Sequence, residues 1–383
     1  MPKSIALFTW GLAEAGGAIT NIVAALAKGF AQLGIKEIYI VYLHDDVEQR
    51  VELPEEVVLI PLGANKTSLC SLAIARFLRR YQPDIFISLA FLNIPSIVGY
   101  LLAGTIKTKL IISQQNSPIY QAEVEHRGNW LFKLQLWLTK YLYPYADGLI
   151  ATTQPVLNEL TKRMGINFEN TQIEVIPNPL DIDKIVLQAQ EPSSHPWLQQ
   201  KDTPVIVSVA RLAKQKNFPL LLKALKTVRQ QLDARLIIFG EGKERASLEQ
   251  LIEELGLSEL VSLPGYCINP YKEMSKADAF ILSSEEEAFG LVLVEAMASG
   301  TPVVATDAMG EGPKTVLENS EYGLLVPSND AEALATAITE VLANKELGDR
   351  LITKGQERCH QYQQVLIAKE WLFLINLITK SKV

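Results

Sequence analysis

Residues 283–307 read SSEEEAFGLVLVEAMASGTPVVATD. A short apolar run, AFILSS, leads into this stretch and another, PVVATD, ends it. Between them lie a loop with three glutamates and a longer apolar segment that starts near Gly290 and stops at Gly300. Strand, loop, helix, strand is the repeating unit of a parallel α/β sheet. Two residues stand out within it. Glu295 follows Val294 inside the apolar run, where a carboxylate needs hydrogen-bond donors because burying it unpaired is costly. Glu287 closes the acidic triplet eight residues upstream.

The same alternation extends over the whole chain. SIALFTW, EIYIVYL, DIFISLA, KLIISQ and GLIATT read as buried strands of a first half, and PVIVSVA, RLIIFG, VSLPG, AFILSS and PVVATD as those of a second. Ile22, Val23, Leu26, Phe30 and Leu33 recur at helical spacing, with Gly34 placed to end that helix. EPSSHPWLQQKDTP, rich in proline, serine and polar residues, has the composition of an interdomain linker. The expected organisation is a first Rossmann-like domain over 1–185, a second over 203–365, and a C-terminal helix over 366–383 packing back on the first.

Length and composition agree with this. The chain has 383 residues, more than one ordinary core accommodates, with 48% hydrophobic and 21% charged residues. A net charge of −7 offers no overall electrostatic footprint for nucleic acid. Three cysteines, Cys70, Cys267 and Cys359, are odd in number and far apart, which fits a reducing compartment and no zinc-site spacing. The N-terminus reads as a first strand and not a signal peptide, and FLNIPSIVGYLLAG is too short and too interrupted to span a bilayer. The expectation is a cytoplasmic protein.

In open α/β sheets, ligands sit beyond the carboxyl ends of the strands. There the second half places Arg211 and Lys216 after one strand and Glu287 after another. A helix starting near Gly290 would direct the amides of Gly290, Leu291 and Val292 and the positive end of its dipole at an anion. Glu295, one turn deeper on the same face as Leu291, would accept hydroxyls of a ribose. A guanidinium and an ammonium suit a diphosphate. The implied ligand is a nucleoside diphosphate joined to a polyol, as in a nucleotide sugar. Taken singly, Glu295, Arg211 and Lys216 read better as ordinary solvated surface residues; their convergence on one sheet edge favours the site.

Glu287 and Glu295 in EAFGLVLVE, together with RLAKQK, IFGEGKERASLEQLIEELGL, ATTQPVLNEL, VIPNPLDID and the early GG, resemble the retaining glycosyltransferases of family 4. The resemblance spans nearly the whole chain. It implies the α/β GT-B fold, two Rossmann-like parallel-sheet domains facing across a cleft. The second would bind a nucleotide-sugar donor, with uridine the expected base, and the first a glycan or lipid-linked acceptor. By that resemblance Arg211 and Lys216 neutralise the leaving diphosphate and Glu287 holds the donor sugar. Glu295 holds the ribose, the backbone of Phe289, Gly290, Leu291 and Val292 meets phosphate and sugar, and Tyr266 and Cys267 meet the nucleobase. Gly16 and Gly17 would let the first loop approach the diphosphate. No cofactor or metal is implied.

One departure concerns the segment after KLIISQ. Many relatives carry a histidine there, near the donor sugar, whereas this chain has Gln115 and Asn116, which hydrogen-bond but carry no charge. His126, close by in sequence, reads as a surface histidine. In GNWLFKLQLWLTKYLYPYADG, the aromatics Trp130, Phe132, Trp137, Tyr141 and Tyr143 read as core with Lys133 and Lys140 as its solvated edge. The alternative is a basic, aromatic face on the cytoplasmic membrane surface. Three competing functions complete the picture. A dehydrogenase would use Asp45 or Asp46, but GLAEAGG lacks the G-x-G-x-x-G spacing. A GT-B nucleotide-sugar epimerase would share the nucleotide site, and a degenerate transferase would serve as a scaffold.

Overall fold

A computed structural model describes residues 1–12, 18–44, 52–63, 67–90 and 93–380. The chain forms two compact units: Met1–Leu180 with Gln363–Val383, and Asp181–Tyr362.

The first unit is a parallel sheet of β1 (Ser4–Gly11), β2 (Glu37–His44), β3 (Val57–Pro61), β4 (Ile85–Ser88), β5 (Lys109–Gln114), β6 (Gly148–Ala151) and β7 (Gln172–Val175), in the order β3-β2-β1-β4-β5-β6-β7. Its central strands are buried on both faces and so read as continuous apolar runs. Ile5, Leu7 and Phe8 lie in register with Ile38, Ile40 and Val41 on one side and with Ile85, Ile87 and Ser88 on the other. Helix Ala18–Gln32 carries the expected stripe of Ile22, Val23, Leu26 and Phe30, and Gly34, at φ +87°, turns the chain out of it.

The C-terminal helix, Gln364–Lys380, belongs to this unit and lies along Ala18–Gln32. The approach depends on Gly29, where a Cβ would come within 2.5 Å of the Gln364 carbonyl oxygen and 2.8 Å of Ala368 Cβ. The sequence expectation of aromatics packed inside Trp130–Leu142 holds only for Phe132, with Tyr143 just beyond the helix. Trp130, Leu131, Leu134, Trp137 and Tyr141 are exposed, because the helix packs through a narrow stripe of Phe132 and Thr139. Trp137 and Tyr141 instead meet each other, ring centroids 4.7 Å apart. His126 is half-buried and stacks on Phe132 at 4.4 Å.

The second unit is the parallel sheet β8 (Val205–Val209), β9 (Arg235–Phe239), β10 (Val261–Gly265), β11 (Ala279–Leu282), β12 (Val303–Thr306) and β13 (Leu324–Val326), ordered β10-β9-β8-β11-β12-β13. Its strand order reverses between β8 and β11, the position where such sheets open a crevice at their carboxyl ends. The segment with linker composition packs on this unit. The Ser194 amide and hydroxyl donate to Glu273 at 2.9 and 2.6 Å, and Ser193 donates to the same carboxylate. His195 Nδ1 accepts from the Trp197 amide at 3.2 Å, capping helix Pro196–Gln199. Among the described residues no helix is long and apolar enough to cross a membrane.

The Gly29 contact yields a direct test. Gly29→Ala pushes Gln364–Lys380 off its neighbour, and the overpacking should cost about 1–3 kcal/mol. Urea denaturation should show a lower midpoint with an unchanged slope.

Candidate active site

β8 and β11 are hydrogen-bonded neighbours, pairing Ile206 with Ala279 and Val207 with Phe280, although some seventy residues separate them. The loops that follow them therefore leave the sheet side by side, and the structure stitches them together. The Glu285 amide donates to the Gln215 carbonyl at 2.8 Å, and Ser283 Oγ to the Lys216 carbonyl at 2.9 Å. Gln215 Nε2 returns to the Glu286 carbonyl at 3.0 Å and to its carboxylate at 2.5 Å.

This stitching brings Lys216 to Glu287. Lys216 Nζ lies 2.5 Å from Glu287 Oε2, both side chains 15% exposed, and Ser284 Oγ adds a donor to the same oxygen at 3.4 Å. Glu287 is held by its backbone as well. Its amide donates to the Met309 carbonyl at 2.8 Å, and its carbonyl accepts from Gly312 at 3.0 Å. A Cβ at Gly312 would sit 2.5 Å from that oxygen, so only glycine lets the chain approach so closely. Arg211, on the β8 loop, is exposed, and its guanidinium makes no hydrogen bond or ion pair among the described residues. Lys243, after β9, is exposed as well. Its loop packs on the β8 exit, the Leu212 amide donating to the Glu241 carbonyl at 2.9 Å.

Helix Leu291–Ala298 follows the glutamate triplet. Its N-cap is Gly290, in the left-handed region at φ 88° and ψ 48°, and no side chain caps it. The amides of Leu291 and Val292 thus point out of the first turn beside Glu287, at the positive end of the helix. Phe289 is buried against Tyr362, edge to face at 5.5 Å, which leaves its backbone as the available part.

Glu295 is half-buried on the second turn of that helix. Among the described residues its donor is the Tyr271 hydroxyl, 3.4 Å from Oε1, a long bond. Desolvation pushes its carboxyl up to about 7, with the Tyr271 bond pulling the other way. Burial and the Glu295 charge push the Tyr271 phenol well above its ordinary value, so it remains a donor. Tyr271 escaped the sequence reading, although NPYKE carried a usable signal. Asn269 caps the short helix Pro270–Met274, accepting from the Tyr271 and Lys272 amides, and Pro270 sits in its first turn. Tyr266 follows Gly265, at φ +94°, and is exposed, while burial pushes the Cys267 thiol up to about 11.

The second unit thus brings together Lys216, Glu287 and the Gly290–Val292 backbone, with Arg211 on the adjoining loop and Glu295 one turn deeper. Gln115 and Asn116 lie in the first unit, at the carboxyl end of β5. Gly16 and Gly17 fall outside the described residues, as do Asp45 and Asp46. Sequence reasoning also passed over Gln215, whose role comes from pairing across the strand reversal, and Ser284, which bonds Glu287 within its own loop.

Comparison with known proteins settles the family. The model for glycosyl transferases group 1 matches residues 190–358, and that for glycosyltransferase family 4 matches residues 16–184. The Campylobacter jejuni N-acetylgalactosamine-N,N'-diacetylbacillosaminyl-diphospho-undecaprenol 4-alpha-N-acetylgalactosaminyltransferase is 31% identical over 284 residues, 74% of each chain. The chain belongs to glycosyltransferase family 4. Among solved structures, sucrose-phosphate synthase from Thermosynechococcus elongatus superposes with a TM-score of 0.81 at 23% identity, covering 99% of this chain and 100% of its own. Anabaena HepE in complex with UDP-glucose gives 0.76 at 18%, covering 98% and 99%. These likenesses establish the GT-B fold.

The Glu295 environment makes a pH prediction for this glycosyltransferase. A carboxyl raised from 4.5 to about 7 on folding favours the fold fully below pH 4.5, and that contribution is lost as pH rises through 7. Glu295→Gln should therefore be more stable than the parent at pH 8, by about 1–3 kcal/mol, and equal to it near pH 4.5. Urea titrations at the two pH values read the difference.

Proposed function

We propose that the second unit binds a UDP-sugar and that the enzyme transfers the sugar, with retention at the anomeric carbon, to a glycan or lipid-linked acceptor taken by the first unit. The observation that carries this reading is the Lys216–Glu287 pair beside an uncapped, glycine-led helix N-terminus at the strand reversal. That arrangement offers cation, carboxylate and backbone donors within one loop cluster, matching the phosphate and the hydroxyls of one ligand. The relatives support the substrate class. The C. jejuni enzyme is named for a diphospho-undecaprenol acceptor, a Mycobacterium leprae relative 30% identical over 246 residues is named as a phosphatidyl-myo-inositol mannosyltransferase, and HepE was solved with UDP-glucose.

In this reading Arg211, Lys216 and the Leu291 and Val292 amides neutralise the diphosphate as it leaves, the main electrostatic contribution in a transferase that uses no metal. Lys216 exchanges its ion pair with Glu287 for the phosphate, and Glu287 turns to the sugar hydroxyls. Glu295 accepts the ribose hydroxyls, whose donors complement a carboxyl that has one long hydrogen bond among the described residues. Tyr266 and Cys267 flank the base. The bond from the anomeric carbon to the phosphate oxygen breaks, the acceptor oxygen bonds to the same face, and its proton goes to the departing phosphate. No side chain acts as a covalent nucleophile.

The test is a thermal-shift panel of UDP, GDP, ADP and NAD. UDP at ~100 times its dissociation constant should add about 2.7 kcal/mol, with or without divalent metal, and the shift should shrink in Glu295→Gln. Lys216→Ala should lower kcat/KM for the UDP-sugar about 10²- to 10³-fold, and the product should keep the donor's anomeric configuration by NMR. Undiminished turnover in both Lys216→Ala and Glu287→Gln would sink the roles assigned to these two side chains.

The exposed face of helix Trp130–Leu142 favours peripheral attachment to an anionic membrane surface at the cytoplasmic side. Trp130, Leu131, Leu134, Trp137 and Tyr141 are exposed, with Lys133 and Lys140 exposed among them, an aromatic and basic composition suited to the interface. The protein should cosediment with vesicles containing phosphatidylglycerol, and Trp130→Ser with Trp137→Ser should weaken that about tenfold or more. Equal sedimentation of parent and variant would remove this attachment from the reading.

A further inference from the structure

One buried carboxylate of the first unit has no part in the proposed mechanism. Glu159 is 7% exposed and opens a π-helical turn, Glu159–Arg163, a rare winding that is frequent at functional sites. Its two oxygens reach across 42 and 40 residues of sequence. Ser117 Oγ donates to Oε2 and the Ile119 amide to Oε1, each at 2.7 Å. The Tyr120 amide in turn donates to Ser117 Oγ at 3.1 Å.

Upstream the same segment is tied as closely. The Tyr143 hydroxyl donates to Gln114 Oε1 at 2.8 Å, and Gln114 Nε2 to the Asn116 carbonyl at 2.9 Å. Gln115 Nε2 donates to Ser113 Oγ at 2.7 Å, and Asn93 Nδ2 to the Ser113 carbonyl at 3.2 Å. In the middle stands Asn116, half-buried, whose side-chain amide makes no hydrogen bond to a described residue. A buried carboxylate is an expensive way to hold a loop that packing alone could hold. Its retention is explained if the position of that loop matters.

We infer that Glu159 is a positioning residue, which through Ser117 and Ile119 holds the Asn116 amide at the carboxyl end of β5 to hydrogen-bond a sugar hydroxyl. The inference rests on the reading of the first unit as facing a sugar. That hydroxyl belongs either to the transferred sugar or to the acceptor, and the amide chemistry is the same for both.

The experiment measures UDP release from an equimolar mixture of UDP-glucose, UDP-galactose, UDP-N-acetylglucosamine and UDP-N-acetylgalactosamine. One arm has water as acceptor and the other the octyl glycosides of the same four sugars. Asn116→Ala should lower kcat/KM about 3- to 10-fold. The loss appears in both arms if the hydroxyl is on the transferred sugar, and only with the glycosides if it is on the acceptor. Glu159→Leu should match that loss and add nothing in the Asn116→Ala background. Glu159→Gln, whose amide can accept from Ile119 and donate to Ser117, should retain activity. UDP affinity, a property of the second unit, should be unchanged throughout.

Ser117→Ala, which removes one of the two contacts, serves if Glu159→Leu does not fold. Its smaller loss should likewise vanish beside Asn116→Ala. Wild-type rates in Glu159→Leu and Ser117→Ala, or losses that add to that of Asn116→Ala, overturn the inference while leaving the sugar-facing reading intact. Wild-type rates of Asn116→Ala in both arms overturn the two together.

Discussion

Where the strand order of the second unit reverses, between β8 and β11, two loops from distant parts of the chain must leave the sheet together. Neither helix that follows can cover the gap between them, because one packs on each face. Everything distinctive about the site follows from this. Lys216 meets Glu287 because Gln215 and Ser283 zip the loops together below them. The helix N-terminus at Gly290 lies beside the pair because the β11 loop is only long enough to turn and enter it. Gly310 and Gly312 then let the β12 loop pack against the Glu287 carbonyl from the far side. The Glu287 backbone is thus fixed from two directions before any ligand contributes, so that its side chain departs from a set point on the loop.

The sequence was most legible where strands are buried on both faces. β1, β2, β4, β5 and β6 of the first sheet and β8, β9, β11 and β12 of the second read directly as apolar runs, while β10, an edge strand, was legible from VSLPG all the same. The strands it did not reveal, β3, β7 and β13, are all at sheet edges. There one side is solvated, and burial patterns such as Val57–Pro61, with no residue fully buried, erase the signal. The helix Trp130–Leu142 failed for the opposite reason. Its aromatics look like core by composition, yet the helix touches its unit through one stripe, and only tertiary packing decides which residues that stripe contains. Of the site, the charged residues and Gly290 were legible because position after a strand announces them. Tyr271, Gln215 and Glu159 were not, since each acquires its role from a partner 24 to 71 residues away.

Two buried carboxylates, Glu159 and Glu273, contrast with half-buried Glu295, and the contrast bears on what Glu295 is for. Glu273 takes the hydroxyls of Ser193 and Ser194 and the Ser194 amide, while Glu159 takes the Ser117 hydroxyl and the Ile119 amide. Both therefore gather short donors on both oxygens, as a carboxylate must if its only task is to hold two segments together. Among the described residues Glu295 gathers one, the Tyr271 hydroxyl at 3.4 Å. Desolvation then dominates and raises its carboxyl to about 7. A residue selected for stability alone would be glutamine or leucine at this position. Retaining a carboxylate at that cost makes sense if its donors come from outside the chain, and a pair of vicinal hydroxyls on a ribose is the ligand group that supplies two at once. The destabilisation of Glu295 and the proposed ribose contact are then two consequences of the same sparse hydrogen bonding.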